Sequence, residues 1–190
     1  LDTVQDEELK EKLRPTYKAA CKRLVVSHNF YDAVQRDNVD IVTESIDHIE
    51  PTGVVTEGEL HELDVLVLAT GFHVDAFMRP MNITGRNGID LDEVWKDWPS
   101  AYLSIAVPEF PNFFMLNGPN SPVGNFSLIQ TAEMQFDYVL QIVNHVNQGD
   151  LDIAVVSHEA FDRFDAERYE AAKGTVWATG CNSWYLDNNG

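Results

Sequence analysis

Two glycines that each close an apolar run are the residues whose type and spacing point most clearly to a binding site. Gly71 ends the run VLVLATG at 65–71, and Gly118 with Pro119 ends the run FFMLNGP at 113–119. In a doubly wound α/β sheet, ligands lie outside the carboxyl ends of the strands, where a glycine lets the backbone approach a cofactor closely. The pattern therefore predicts the edge of a ligand site, with a pair of tight turns as the alternative.

Other reactive residue types form no recognisable catalytic group. The six histidines are scattered without metal-ligand spacing, and the Gly-x-Ser-x-Gly elbow of serine hydrolases is absent. Cys21 and Cys181 lie far apart without a CxxC motif, so we expect neither a disulfide framework nor a zinc site. Reduced cysteines fit a cytoplasmic location.

The charge balance excludes several classes of partner. Against 31 acidic side chains stand 13 Lys and Arg, which gives a formal net charge of -18. Such a field repels nucleic-acid phosphates and anionic membrane surfaces. The longest apolar runs are well short of the roughly 18 residues that a membrane span needs. We therefore expect no nucleic-acid and no membrane partner.

The elements that must position these glycines follow from apolar periodicity and turn residues. We predict a helix capped by Thr3, a second helix at 29–36, and a β-meander over 39–62. The uninterrupted apolar run from Val65 to Ala69 indicates a strand buried on both faces of a parallel sheet. The remaining predicted elements are a neighbouring strand at 112–116, a long helix from Leu128 to Val146 stopped by Gly149, a strand at 153–157, a helix at 158–173, and a loop-rich stretch with Trp95 and Trp98 as anchors.

Several longer segments carry a family resemblance. They are ATGF at 69–72, PNFFMLNGPNSPVGNFS at 111–127, KRLVVSHNFYDAVQRDNVDIV at 22–42 and SWY at 183–185. Together they resemble the C-terminal part of the class B flavoprotein monooxygenases, and they are most similar to the Baeyer–Villiger branch. The resemblance runs from about Leu9 to the end of the chain. The two GxGxxG motifs with which that family holds FAD and NADPH are absent here.

The resemblance implies a fold and its boundaries. The fold class is α/β, a three-layer Rossmann-like FAD/NAD(P)-binding domain fragment with an inserted β-meander. Residues 1–38 would form a linker and the edge of the NADPH-side domain, and residues 39–190 the C-terminal part of the FAD-binding domain. Because the glycine motifs would supply most pyrophosphate contacts, FAD and NADP are expected only in a full-length enzyme. The isolated chain is expected to be colourless and inactive.

The resemblance also assigns roles to single residues. Arg23 would lie beside the flavin, where a permanent guanidinium can stabilise negative charge during oxygen transfer; a surface salt bridge is the alternative. Lys22 would contact the NADPH phosphate. Trp184 would lie on a mobile loop that folds over the nicotinamide nucleotide, or else anchor the tail to the core. The residues expected to border the flavin are Thr70, Gly71, Gly118, Pro119, Asn120, Ser121, the segment 123–128 and, within it, Leu128, with Ser121 as a helix N-cap in the alternative view.

The implied activity is insertion of one oxygen atom from O2 beside a ketone or aldehyde carbonyl, with NADPH as reductant and a small-molecule carbonyl substrate. One alternative is a flavin monooxygenase that oxygenates nitrogen or sulfur. Arg23 argues against it, because a heteroatom nucleophile has less use for a cation that stabilises the deprotonated oxidant. The other alternative is a catalytically inactive domain that acts as an acidic binding module.

Overall fold

The computed structural model describes residues 1–121, 126–183 and 186. These residues form two compact units. The first consists of Leu1–Thr16 and Val25–Phe72, and the second of Tyr17–Leu24 and the chain from His73 onward. The domain boundary predicted between residues 38 and 39 stays a prediction.

The first unit begins with two short helices. Helix α1 spans Glu7–Lys12 and helix α2 spans Phe30–Ala33. The side chain of Asp6 accepts the backbone N–H of Leu9 at 2.9 Å, so Asp6 caps α1. The predicted cap at Thr3 is wrong, because the helix starts one turn later than the apolar spacing suggested.

A three-stranded antiparallel sheet follows in the first unit. Strand β1 spans Ile46–Glu50, β2 spans Gly53–Thr56 and β3 spans Glu59–Glu62, in the spatial order β1-β2-β3. The central strand β2 is buried along its whole length, whereas β1 is exposed. The sheet occupies the later part of the region predicted as strands. Residues 39–42 do not join it.

The apolar run after this sheet is not a buried strand. Val65 is 75% exposed and Val67 is 80% exposed, and their segment pairs with no strand in residues 1–72. A parallel strand is stable only between neighbours that satisfy its backbone N–H and C=O groups. Strands β1, β2 and β3 pair with one another instead. The predicted burial of this strand is therefore wrong for this chain.

The second unit holds the main hydrophobic core. Trp95 lies in it just after helix α3, Leu91–Val94, and its indole N–H donates to the carbonyl of Ser100 at 2.9 Å. The predicted anchor at Trp95 is thus confirmed. The buried members of the core are Leu91, Trp95, Ala101, Val107, Phe110 and Met115.

The predicted strand at 112–116 meets this core without forming a ladder. Met115 is 3% exposed, as expected, and Phe113 packs against the core while partly buried. The N–H of Met115 donates to the carbonyl of Ile105 at 2.8 Å. The parallel strand layout predicted for Phe113 and Met115 is wrong within the described residues, because the segment has no neighbouring strand there.

Two long helices of the second unit confirm their predictions. Helix α4 spans Leu128–Gln148, and Ser127 caps it by accepting the N–H of Gln130. It ends at Gly149, as predicted, in the left-handed conformation with φ 79°. Helix α5 spans His158–Ala172. Among the described residues, no helix is long and apolar enough to cross a membrane.

The segment before α5 is irregular, so the strand predicted at 153–157 is wrong. Its backbone is held by Asn112 instead. The N–H of Asn112 donates to the carbonyl of Ala154 at 2.8 Å, and the side-chain oxygen of Asn112 accepts the N–H of Ala154 at 2.9 Å. A single asparagine thus takes the place of a strand partner.

The cysteines differ from expectation most clearly. Cys21 and Cys181 form a disulfide within the second unit, with Cα atoms 5.7 Å apart. The prediction of unpaired, reduced cysteines is wrong. The two residues are 160 positions apart, and only the folding of the 17–24 segment into the second unit brings them together.

Candidate functional site

The predicted site residues Gly118, Pro119, Asn120 and Ser121 form a turn within the second unit. The N–H of Gly118 donates to the carbonyl of Ser104 at 3.1 Å, and a Cβ atom at Gly118 would lie 2.6 Å from that oxygen. Pro119 is fully buried, and the N–H of Ser121 donates back to the carbonyl of Gly118 at 3.2 Å. The close approach that requires glycine is therefore with the protein's own backbone.

Asn120 anchors this turn. Its backbone is left-handed, with φ 65°, a conformation that asparagine tolerates better than most residues. Its side-chain oxygen accepts the hydroxyl of Ser100 at 2.9 Å and the N–H of Ala101 at 3.2 Å. The Ser100 hydroxyl also lies 3.4 Å from a carboxylate oxygen of Asp165 on α5. The amide oxygen of Asn120 thus accepts two hydrogen bonds that hold the turn against residues 100–101.

A buried glutamine joins the turn to helix α4. The side-chain oxygen of Gln135 accepts the N–H of Asn117 at 2.7 Å, and its amide nitrogen donates to the carbonyl of Leu103 at 3.2 Å. The side chain of Asn117 donates in turn to the carbonyl of Leu128 at 3.3 Å. These contacts bring Leu128, a predicted site residue, beside the 118–121 turn.

Sequence reasoning missed Asn117, Gln135 and the helix cap. Gln135 falls between Ala132 and Phe136 in the apolar stripe of α4, and a polar residue in such a stripe was the available signal. The alternative view of Ser121 as the N-cap is wrong, because Ser127 fills that role.

A shallow apolar groove of about 360 Å³ lies next to this turn. Leu128 is half-exposed in it. The side-chain oxygen of Asn117 is buried and has no hydrogen-bond donor among the described residues. The groove can accept an apolar surface. Its lining residues are Leu116, Asn117, Leu128, Ile129, Ala132, Glu133 and Phe136.

Lys22 and Arg23 lie on the exposed 17–24 segment of the same unit. The ammonium of Lys22 lies 4.8 Å from the centroid of the Tyr17 ring, a cation–π distance. Cys21, the residue before Lys22, is completely buried. The two predicted cationic residues therefore project from a turn that is anchored through Cys21.

The remaining predicted site residues are not part of this turn. Thr70 and Gly71 are exposed in the first unit, and Gly71 has a left-handed backbone with φ 88°. Trp184 and residues 123–125 lie outside the described residues. Within the described part of the chain, no group of three or more His, Cys, Asp or Glu side chains could hold a metal ion.

Comparison with known proteins identifies relatives over the whole chain, although no family profile matches the sequence. An uncharacterised monooxygenase of Mycobacterium tuberculosis is 49% identical over 191 residues, which cover 100% of this chain and 39% of the relative. A Baeyer–Villiger monooxygenase of Pseudomonas aeruginosa is 33% identical, over 96% of this chain and 35% of the relative.

Solved structures agree with these relatives. Cyclohexanone monooxygenase from Rhodococcus sp. Phi1, bound to NADP+, matches with a TM-score of 0.87 and 35% identity, over 96% of this chain and 35% of that protein. A steroid monooxygenase bound to NADP matches with a TM-score of 0.86 and 33% identity, over 96% of this chain and 36% of that one. The α/β fold class is thereby confirmed, and its three-layer Rossmann-like arrangement stays a prediction. The chain belongs to the FAD-binding, Baeyer–Villiger monooxygenase family, and it spans 35–39% of the length of these relatives.

Proposed function

We propose that the chain is the C-terminal portion of a monooxygenase that uses FAD and NADPH to insert one oxygen atom of O2 beside the carbonyl of a small ketone or aldehyde. The observation that carries this proposal is the match along 96% of the chain to cyclohexanone monooxygenase, at 35% identity and a TM-score of 0.87. The segments that carry the resemblance, including 22–42 and 111–127, lie within that length.

Exposed apolar surface supports the view that this portion works with further protein. Val65 to Leu68 are exposed, as are Leu24 to Val26 and, on α4, Ile129 and Met134. Contiguous apolar patches of this kind mark surfaces that another protein segment covers. The relatives are longer than this chain by more than half of their own length, and their additional part would supply neighbours for the 65–69 segment.

The residues present fit part of a dinucleotide site. Lys22 offers an exposed positive charge for a phosphate, and the groove beside the 118–121 turn offers apolar surface. Arg23 would hold a fixed cation near the reacting oxygen. When bound, FAD supplies the reactivity toward O2 and NADPH supplies the hydride. The glycine motifs that would hold the pyrophosphates are not in this sequence. The residues of this chain would therefore help to orient the cofactors and place positive charge beside them.

Complementation tests the proposal. The chain purified alone is expected to carry no stoichiometric FAD and to leave NADPH unoxidised. Co-expression with the part of the Mycobacterium tuberculosis relative that the chain does not match should restore flavin absorbance and NADPH oxidation dependent on cyclohexanone. Val67→Asp should abolish the restoration, because it places a charge where the co-expressed part would pack against the 65–69 segment. Leu151→Asp, at an exposed apolar residue outside these segments, serves as the control.

The products separate the rival functions. Ester or lactone formation supports carbonyl oxygenation, whereas sulfoxide from thioanisole with no ester supports the heteroatom alternative. Restored flavin binding without NADPH oxidation would favour an inactive binding module. A yellow protein with stoichiometric FAD from the chain alone would contradict the partial-site argument.

A further inference from the structure

The disulfide between Cys21 and Cys181 is the one described feature that neither the sequence nor the proposed reaction accounts for. These are the two cysteines of the chain, so neither has a competing partner within it. The two cysteines differ in solvent exposure: Cys21 is completely buried, while Cys181 is partly exposed. A small thiol can therefore reach the sulfur of Cys181 before that of Cys21.

The bond joins two segments that carry predicted cofactor residues. Cys21 directly precedes Lys22 and Arg23 on the 17–24 segment. Cys181 follows the short 3-10 helix Val176–Thr179 and precedes Trp184 by three positions.

Two close contacts within the 174–183 segment join residues that are near one another in the sequence. The hydroxyl of Thr179 donates to the carbonyl of Val176 at 2.6 Å, and the sulfur of Cys181 lies 3.4 Å from the same carbonyl. The disulfide, in contrast, spans 160 positions. It is thus a long-range covalent link between the 174–183 segment and the 17–24 segment.

We propose that Cys21 and Cys181 are a reversible thiol–disulfide couple that fastens the 174–183 segment to the Lys22–Arg23 turn. In the oxidising direction the two thiols lose two electrons and two protons to hydrogen peroxide, which yields the disulfide and two molecules of water. In the reducing direction a dithiol attacks the sulfur of Cys181 and releases the Cys21 thiolate, and its second thiol then resolves the mixed disulfide. Any effect on nucleotide binding rests on the proposed function; the couple itself does not.

Peptide mapping of the complete gene product tests the couple without any flavin chemistry. Trypsin cuts after Lys18, Lys22 and Lys173, so Cys21 falls in the peptide 19–22 and Cys181 in a peptide that starts at Gly174. After peroxide treatment and alkylation, we expect these two peptides joined within one chain and lighter by two hydrogens. After dithiothreitol, both should be alkylated, with Cys181 modified first. Cys21→Ser and Cys181→Ser should each abolish the joined peptide.

Hydrogen exchange tests the fastening. Exchange in the 174–183 segment should be slower in the oxidised protein than in the reduced one, while α5 should exchange equally in both. Alkylation of both cysteines after peroxide, a link between two copies, or sulfinic acid at Cys21 would overturn the couple. Equal exchange of the 174–183 segment in both redox states would show that the disulfide does not restrain this segment. Because these readouts need no bound cofactor, they fail or succeed independently of the monooxygenase proposal.

Discussion

The side-chain oxygen of Gln135 accepts the backbone N–H of Asn117 at 2.7 Å, which ties helix α4 to the residue before Gly118. The same amide donates to the carbonyl of Leu103, so one buried side chain holds two backbone segments. Gln135 is the buried residue of α4 in the structure. A polar contact from α4 therefore helps to hold the residue that precedes the 118–121 turn.

Gln135→Met keeps the length of the side chain but removes both hydrogen bonds. It removes the partners of the Asn117 N–H and the Leu103 carbonyl in a partly buried environment, so we expect the free energy of unfolding to fall by about 1 kcal/mol. Urea unfolding measures the change. Gln141→Met is the control, because Gln141 is exposed on the same helix and bonds only locally to Asp137. Equal losses for the two variants would contradict a structural role for Gln135.

Asn120→Ala should release the backbone of residues 100–101. The substitution removes the acceptor of the Ser100 hydroxyl and the Ala101 N–H, and we expect a loss of about 1–3 kcal/mol with faster hydrogen exchange at Ala101. Asn120→Asp keeps an acceptor oxygen and should retain most of the protection.

Asn87→Ala is the matched control for Asn120. Asn87 has a similar left-handed backbone, with φ 55°, and its exposed side chain makes no hydrogen bond within the described residues. The control therefore carries the backbone cost without the lost contacts. Unchanged exchange at Ala101 in Asn120→Ala would show that the turn is held by other contacts.

The sequence was a sound guide where structure is local. Helix α4 has the 3.6-residue apolar period and ends at Gly149, as predicted, and both features depend on neighbouring residues alone. The strand predicted at Val65 failed for the opposite reason. A parallel strand exists only beside its neighbours, and no apolar pattern states whether the chain itself provides them.

The candidate site shows the same limit. Gly118 was predicted to approach a cofactor, and that role stays a prediction; the pattern could not tell that the backbone at Gly118 also lies close to the carbonyl of Ser104. The Cys21–Cys181 pair was missed because spacing along the chain carries no information about contacts 160 positions apart. Residues that act through long-range contacts are therefore the ones for which the sequence alone was insufficient.

The role of Arg23 can be tested in the complete, flavin-loaded enzyme. If its guanidinium stabilises the charge that develops during oxygen transfer, Arg23→Ala should leave flavin reduction by NADPH largely intact. Oxygenated product should fall by about 10²–10³-fold, the usual effect of one lost electrostatic contact in a transition state. NADPH oxidation would then release hydrogen peroxide. Arg23→Lys should recover only part of the product, because an ammonium lacks the planar, always-charged guanidinium.

Arg14→Ala provides the comparison for a purely structural arginine. Arg14 is exposed and pairs at 2.9 Å with Glu11 of α1, and exposed pairs of this kind contribute little to stability. This variant should therefore change thermal stability slightly and leave product and peroxide yields unaltered. Stopped-flow flavin reduction, measured together with product and peroxide yields, separates the two cases. A normal ester yield from Arg23→Ala would refute the catalytic assignment and place Arg23 with Arg14 as a surface residue.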